Sequence, residues 1–303
     1  MTPLHSHSLL KQQRTVFNNL FYKTVSDFTS EAVFTQNKRC GYNMIITSRE
    51  NKIYKLTKLL KTAKGRNEKN MFIIEGMRCV RDALSKNADI EYIIIKEETP
   101  FDLDTKLPVF TFAKKLFDEL SDTVTPQGVI ALCRIKKKDF SAILKNNDGL
   151  VVICEALQDP GNIGTIIRTA HAAQCSGVVL SKGCCDLYNP KIIRATMTGI
   201  FSVDVITDIE SKAAIKMLRE NGYKIAAGAL GENAVDFYDA SLSGKWAIIV
   251  GNEGNGVTEE TLSLCDAILK IPMDSAAESL NAAVAGSIMM YEYYRQNRKK
   301  ESK

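Results

Sequence analysis

From Gly149 onward, short apolar runs alternate with helix-length segments, and this alternation constrains the fold more than any other feature of the 303-residue chain. Strands are predicted at Leu150–Cys154, Gly177–Leu180, Ser202–Ile206, Lys224–Ala227, Trp246–Val250 and Ala267–Ile271. Between and after them, helices are predicted at Ile163–Gln174, Pro190–Gly199, Glu210–Asn221, Glu259–Leu264 and Ser279–Arg295. Continuous apolar strands separated by helices indicate an α/β fold, a parallel sheet covered on both faces. Ligands of such sheets bind beyond the carboxyl ends of the strands, so the loops there are the place to look for chemistry.

A smaller α/β unit is expected upstream, over residues 71–135. It has strands at Met71–Glu75, Ile90–Lys96 and Val129–Cys133, a helix at Met77–Ser85, and a turn at Thr125-Pro126-Gln127-Gly128. The polar, basic stretch 136–148 is the expected linker to the larger unit, 149–295. In 44–70, Ile53, Leu56 and Leu60 share one helical face amid Lys52, Lys55, Lys58 and Lys61, a basic amphipathic helix. Residues 1–43 lack periodicity and hold two of the three histidines. They are expected to be a leader or upstream extension without fixed structure, with Met44 opening the working protein.

The net charge of +5 conceals an uneven distribution. Arg49–Lys69, Arg134–Lys138 and Arg295–Lys303 contribute +6, +4 and +4, which leaves −9 for the rest; the last stretch includes a basic tail, 296–303. Cationic charge gathered in a few places is the footprint of a polyanion binder, although solvated surfaces explain it as well. The eight cysteines include no C-x-x-C pair, so zinc spacing is absent and no metal is expected. Cys133 and Cys154 sit inside apolar runs as small buried hydrophobes. No apolar run approaches the ~18 residues of a membrane span, and no basic segment followed by an apolar core marks a secretory signal, so a cytoplasmic location is expected.

Three stretches carry candidate chemistry. The first, Asp159 to Ala170, opens a helix directly after a strand. Asn162 suits its N-cap, and Arg168 is the only formally charged residue between Ile163 and Ser176. A lone guanidinium on an apolar helix serves either a structural ion pair or a phosphate or catalytic function. His171, three residues on, reads as a packed or surface histidine. The second is Gly251-Asn252-Glu253-Gly254-Asn255-Gly256, after an apolar strand. Its glycines permit close approach to a ligand or simply a tight turn, and its order is neither the dinucleotide fingerprint nor a P-loop. The third runs from Ile271 to Gly286. There Ser275 and Glu278 have capping-box spacing, and Ser279–Tyr291 carries no charge, predicting a buried, closely packed helix. Asn281 inside it requires a hydrogen-bond partner.

In order and spacing these stretches, N-x-G-x-x-x-R-T-A, G-N-E-G-x-G and I-P-M-x(6)-L-N-x-x-V-A, resemble the three motifs of the SpoU/TrmH family of RNA ribose 2′-O-methyltransferases in the SPOUT superfamily. The likeness covers roughly Leu150 to Tyr294. Residues 71–133 resemble the family's substrate-binding domain through Ile74-Glu75-Gly76 and Pro126-Gln127-Gly128. Ser275 departs from the glycine of many relatives, which bears on local loop geometry.

The resemblance implies a deep trefoil knot near the C-terminus, which no periodicity argument would suggest. It implies S-adenosylmethionine bound by Gly251, Ile271 and Leu280, mainly through main-chain groups. It gives Arg168 the activation of the ribose hydroxyl, with Asn162, Glu253, Ser279 and Asn281 as positioning groups. Arginine stays protonated beyond pH 12 and is a poor base. Gripping a phosphate and stabilising the emerging alkoxide is therefore the favoured role, with deprotonated Arg168 as the alternative. Glu253 could instead hold its loop or balance Arg168. The resemblance further implies a homodimer in which one subunit completes the other's site, and RNA as substrate, ribosomal in preference to transfer RNA. Base methylation, or a non-catalytic RNA-binding or ribosome-assembly factor, are the rival readings.

Overall fold

The computed structural model describes residues 32–36, 42–145, 149–231 and 233–298. The smaller unit runs through β1 (Ala32–Gln36), β2 (Tyr42–Ile46), α1 (Lys52–Leu60), α2 (Ala63–Lys69), β3 (Met71–Glu75), α3 (Met77–Ser85), β4 (Ile90–Lys96), β5 (Val109–Phe112), α4 (Lys114–Leu120) and β6 (Val129–Arg134). These strands form one mixed sheet in the order β1-β2-β5-β4-β6-β3. β2, β5 and β4 are parallel, and β6 lies antiparallel between β4 and β3. Met44 falls inside β2, which pairs with β1 from the stretch read as a leader. Residues 1–31 and 37–41 of that stretch lie outside the described residues.

The basic helix α1 forms as its periodicity predicts. The Asn51 side chain caps it, accepting from the Ile53 and Tyr54 amides at 2.9 and 3.4 Å. Ile53, Tyr54 and Leu60 are buried against Phe112, Phe117 and Ile130, with Leu56 at the edge. β5 and α4 were not expected. Val109–Phe112 is four residues long and mostly half-exposed, so it leaves no apolar run to read.

After a 3-10 turn at Phe140–Leu144, the larger unit comprises β7 (Leu150–Cys154), α5 (Pro160–Ala172), β8 (Gly177–Ser181), α6 (Pro190–Ala195), β9 (Val205–Ile209), α7 (Ser211–Glu220), β10 (Lys224–Gly228), β11 (Val235–Asp236), β12 (Trp246–Val250), α8 (Glu259–Leu262), β13 (Ala267–Lys270) and α9 (Ala282–Asn297). Its sheet has the order β11-β13-β10-β12-β7-β8-β9, and every pairing is parallel. β7, β8 and β12 are buried along their whole length. The period-2 alternation divides β7 between two cores. Leu150, Val152 and Cys154 pack with Ile163, Ile166 and Ile167 of α5 and Met290 of α9. Val151 and Ile153 pack with Ala214, Ile215 and Leu218 of α7.

Several boundaries move. The helix expected over Pro190–Gly199 stops at Ala195, because Met197 takes a left-handed backbone (φ 57°) and a 3-10 turn follows at Gly199–Phe201. That turn delays the next strand from Ser202 to Val205. The last helix begins at Ala282, not Ser279, and the expected Ser275–Glu278 capping box does not form. Asp274 instead accepts from the Ala276 amide at 2.9 Å.

The two units share a core. Phe72 of β3 packs against Tyr188 and Phe201, with ring centroids 4.6 and 6.4 Å apart. Arg66, 3% exposed, donates to Asp186 at 2.8 Å and to the Leu60 and Lys61 carbonyls at 3.0 Å each. No described helix is long and apolar enough to cross a membrane, and no described group of three or more His, Cys, Asp or Glu gathers as a metal site.

Candidate active site

All three stretches meet at the carboxyl edge of the larger sheet, after β7, β12 and β13. The cap of α5 is Asp159, not Asn162: its Oδ1 accepts from the Asn162 amide at 2.9 Å. This leaves the Asn162 side chain, only 6% exposed, free to link the other two stretches. Its Nδ2 donates to Glu253 Oε1 at 2.9 Å, and its Oδ1 accepts from Asn281 Nδ2 at 2.9 Å. Asn281 lies outside α9 as its N-cap, its Oδ1 accepting from the Ala283 and Val284 amides at 2.9 and 3.2 Å. The partner demanded by the sequence is thus found twice over, in the cap and in Asn162.

Glu253 anchors the relay. Besides Asn162, its carboxylate accepts from the Asp159 amide at 3.0 Å and the Gln158 amide at 3.2 Å. Partial burial works to raise its pKa. The hydrogen bonds from Asn162 and the main chain outweigh burial and hold the carboxyl below its usual range. Glu253 therefore holds its loop against the start of α5 and makes no pair with Arg168.

The loop is built by Asn252. Its Oδ1 accepts from the Gly254 and Asn255 amides, and its Nδ2 donates to the Ala156 carbonyl at 2.8 Å. Asn252 and Gly256 exchange two main-chain bonds of 2.9 Å, with Gly256 at φ 67°. Gly251 packs so tightly on this turn that a Cβ there would overlap the main chain of Gly256 and Val257. Behind the loop, the buried carboxylate of Glu155 accepts from the Thr258 amide at 3.0 Å and from the Thr261 hydroxyl. Sequence reading does not single out Glu155, and it gives Asn252 no role beyond its place in the glycine-rich stretch. For Glu155 the available signal is a lone carboxylate abutting the fully apolar run Leu150–Cys154.

A cavity of about 620 Å³ opens beneath the loop, lined by Gly228, Val250, Leu269 and Met289 among others. Of the residues singled out in the sequence, Gly251, Ile271 and Leu280 line it, together with Glu253, Ser279 and Asn281. Its size falls in the ~300–1,000 Å³ range of small-ligand sites. Main-chain donors and acceptors, an apolar wall and a carboxylate at the rim suit a flat heterocycle joined to a cationic group. Asn162 stands behind the lining as the connector.

Arg168 does not line this cavity. It lies six residues along α5 from Asn162, exposed, with no hydrogen bond or ion pair to its side chain among the described residues. The ion-pair explanation thus finds no partner among the described residues. The neighbouring Thr169 hydroxyl meets Ser287 of α9 at 3.1 Å. The face of α9 beside it is not buried as expected: Val284 and Tyr291 are 47% and 50% exposed. His171 is exposed. Burial pushes the Cys185 thiol up to about 11, which keeps it protonated and poorly nucleophilic near neutrality.

Comparison with known proteins adds a family context. The family model for the SpoU rRNA Methylase family matches residues 149–291, and that for the MRM3-like substrate binding domain matches residues 50–131. The chain is 36% identical over 248 residues to the 23S rRNA (guanosine(2553)-2′-O)-methyltransferase RlmP of Bacillus subtilis, covering 81% of this chain and 97% of that protein. It is 30% identical over 302 residues to the mitochondrial rRNA methyltransferase 3 of Mus musculus, covering 79% and 71%. Among solved structures, the AdoMet-bound rRNA methyltransferase from Sinorhizobium meliloti superposes with a TM-score of 0.75 at 27% identity, covering 84% of this chain and 98% of that one.

Proposed function

Because the chain belongs to the SpoU rRNA methylase family, we propose that it transfers a methyl group from S-adenosylmethionine to a ribose 2′-hydroxyl of ribosomal RNA in the cytoplasm. The observation that carries this reading is the Glu253–Asn162–Asn281 relay at the rim of the 620 Å³ cavity. It joins three separate stretches into one rigid wall around a site of cofactor size.

S-adenosylmethionine, when bound, supplies a methyl group activated by a sulfonium. The main chain of Gly251 and Ile271 and the side chain of Leu280 are the groups that would hold it, with the apolar wall excluding water. Glu253, Asn162, Asn281 and Ser279 position the loop and the helix start around the reacting end. Arg168 approaches the RNA. A guanidinium is a poor general base, so Arg168 grips the phosphate beside the target ribose and stabilises negative charge on the attacking oxygen as the C–O bond forms and the C–S bond breaks, the hydroxyl proton passing to water.

Arg168 stands on the exposed face of α5, next to the exposed Val284 and Tyr291 of α9. This supports a homodimer in which those faces meet and one chain's Arg168 completes its partner's site. The strand order, with β12 set between β7 and β10, is compatible with the knotted topology that the family resemblance implies. Affinity for RNA rests on the smaller unit and on the basic helix α1, through phosphate contacts that set salt dependence and carry no sequence information.

The test is to incubate the protein with methyl-labelled S-adenosylmethionine and unmodified ribosomal RNA, alongside Arg168→Ala, and then to hydrolyse the RNA with alkali. A 2′-O-methyl group removes the nucleophile that cleaves the chain, so label is expected in alkali-resistant dinucleotides and is expected to be lost in the variant. Label in mononucleotides means base methylation; no label with any ribosomal RNA overturns the enzymatic reading. Mixing Arg168→Ala chains with Gly251→Ala chains is expected to restore part of the activity if the site is shared between subunits.

A further inference from the structure

A second cavity, about 340 Å³, lies between the two units and is not used by the site described above. One wall comes from the smaller unit: Glu75, Gly76, Arg78 and Cys79 at the start of α3, with Thr123, Thr125 and Gln127 from the turn before β6. The other wall is Ile193, Arg194, Met197 and Thr198, at the end of α6. The turn, which bends at Gly128 (φ 77°), is held against the start of α3, where Gly76 has φ 101°: Gln127 Oε1 accepts from the Met77 amide at 3.2 Å.

Three features point to one kind of occupant. First, Arg78 and Arg194 line this cleft and make no side-chain hydrogen bond or ion pair among the described residues. The carboxylate in the lining, Glu75, is already engaged by the Ser121 hydroxyl, the Thr123 hydroxyl at 2.7 Å and the Asp122 amide at 3.1 Å, and Asp82 lies outside the lining one turn along α3 from Arg78. Burial holds the Cys79 thiol neutral, its pKa pushed up to about 11. Second, Ile193 and Met197 supply an apolar wall, and Met197 is held 43% exposed on its left-handed backbone. Third, the cavity adjoins the reacting region. Gly199, one residue after Thr198, lies against α5, where an added Cβ would be in van der Waals contact with the Arg168 Cα at 3.5 Å.

We propose that this cleft receives one unstacked nucleotide of the RNA strand flanking the target ribose, its phosphate on Arg78 and Arg194 and its base against Ile193 and Met197. This inference rests on the RNA methyltransferase reading, which supplies the RNA strand and places the nucleotide beside the target ribose. Recognition of RNA by an unstacked base beside a gripped phosphate is itself a general mode. The threonines and Gln127 at the rim offer donors and acceptors to the base edge, and the two units must both be present for the receptor to exist.

The test is binding of a 20-nucleotide single-stranded RNA of mixed sequence, by fluorescence anisotropy over a range of salt concentrations, together with methyl transfer to unmodified ribosomal RNA. Arg78→Gln and Arg194→Gln are each expected to lower the slope of log affinity against log salt by about 0.7, the value for one single-strand phosphate contact. Arg194→Lys is expected to restore the slope. In methyl transfer, KM for RNA is expected to rise with S-adenosylmethionine affinity unchanged. Thr198→Trp fills the cavity and keeps both charges, so RNA affinity is expected to fall about tenfold with the slope unchanged, as for loss of one base stack. Slopes equal to that of the unaltered protein in both glutamine variants overturn the phosphate assignment, and full affinity in Thr198→Trp overturns the base receptor. Failure of methyl transfer with the RNA-binding effects intact would count against the enzymatic reading and not against this one.

Discussion

Replacing Glu253 by glutamine tests the relay at its anchor. The carboxylate faces only donors: Oε1 meets the Asp159 amide at 3.0 Å and Asn162 Nδ2 at 2.9 Å, while Oε2 meets the Gln158 amide at 3.2 Å and Asn252 Nδ2 at 3.4 Å. Whichever way a glutamine amide is turned, its NH2 opposes two donors, so two hydrogen bonds to a charged group are lost. Such bonds contribute roughly 1.5–3 kcal/mol each when buried. Glu253 is exposed at the loop surface and water replaces part of the loss, which leaves about 1–2 kcal/mol. For a domain of this size that is a fall in Tm of about 3–6 °C.

The pH dependence of that loss has a definite sign. The folded-state pKa of Glu253 lies below its unfolded value, so its contribution is complete above the unfolded value of ~4.3 and disappears as pH falls through the folded one. Urea melts at pH 7 and near pH 4 should therefore show the gap between wild type and Glu253→Gln narrowing on acidification. Methyl transfer should fall by on the order of 100-fold, the usual scale for a 1 Å misplacement, because either turn of the amide frees the Gln158 or the Asp159 main chain that sets the start of α5 and with it Asn162. Equal stability at pH 7 with full activity, or a gap that widens in acid, would refute the reasoning.

The remaining predictions use the same geometry. Asn281→Ala should cost about 1 kcal/mol from the lost cap of α9 plus the bond to Asn162, whereas Asn281→Asp keeps the cap and loses only that bond; thermal melts and kcat of the pair separate the two roles. Gly251→Ala should cut S-adenosylmethionine affinity, measured by calorimetry, at least tenfold, because the added Cβ meets main chain that cannot yield. Gly228→Ala, in the same cavity, should change it less, because the Cβ overlaps only the flexible end of the Met289 side chain, with Cε at 2.5 Å and Sδ at 2.9 Å. Arg66→Gln leaves Asp186 and two carbonyls without their donor, and should destabilise the chain by about 2–4 kcal/mol. Its urea transition should broaden or split as the two units uncouple.

How much of this was legible depended on whether the deciding contact was local. β7, β8 and β12 could be read because both of their faces are buried, so every residue votes apolar. The cap of α5 could not. Asp159 and Asn162 both precede the apolar run, and what distinguishes them is Glu253, 91 residues away from Asn162. The start of α9 failed for a related reason. Ser279-Leu280-Asn281 has nothing that forbids a helix, and Asn281 ends up as the cap because its amide is drawn outward to Asn162. Asn252 reads as an ordinary turn residue, yet it organises the whole loop through four atoms' worth of hydrogen bonds, a role visible only once Ala156 is beside it. The three motifs were legible as residue types, and their wiring was not.

The placement of charge at the site has its own logic. A sulfonium in the cavity carries a positive charge, and a guanidinium fixed ~4 Å from it would be repelled by about 4 kcal/mol at an effective dielectric of 20. Such a site would bind its cofactor poorly before any RNA arrived. The chain avoids this by lining the cavity with the ionised Glu253 and leaving Arg168 outside it on α5. Under the proposed mechanism Arg168 reaches the reacting centre with its charge already balanced by an RNA phosphate. Activation of the hydroxyl then depends on the substrate being seated, and the exposure of Arg168 in the single chain is what that dependence requires.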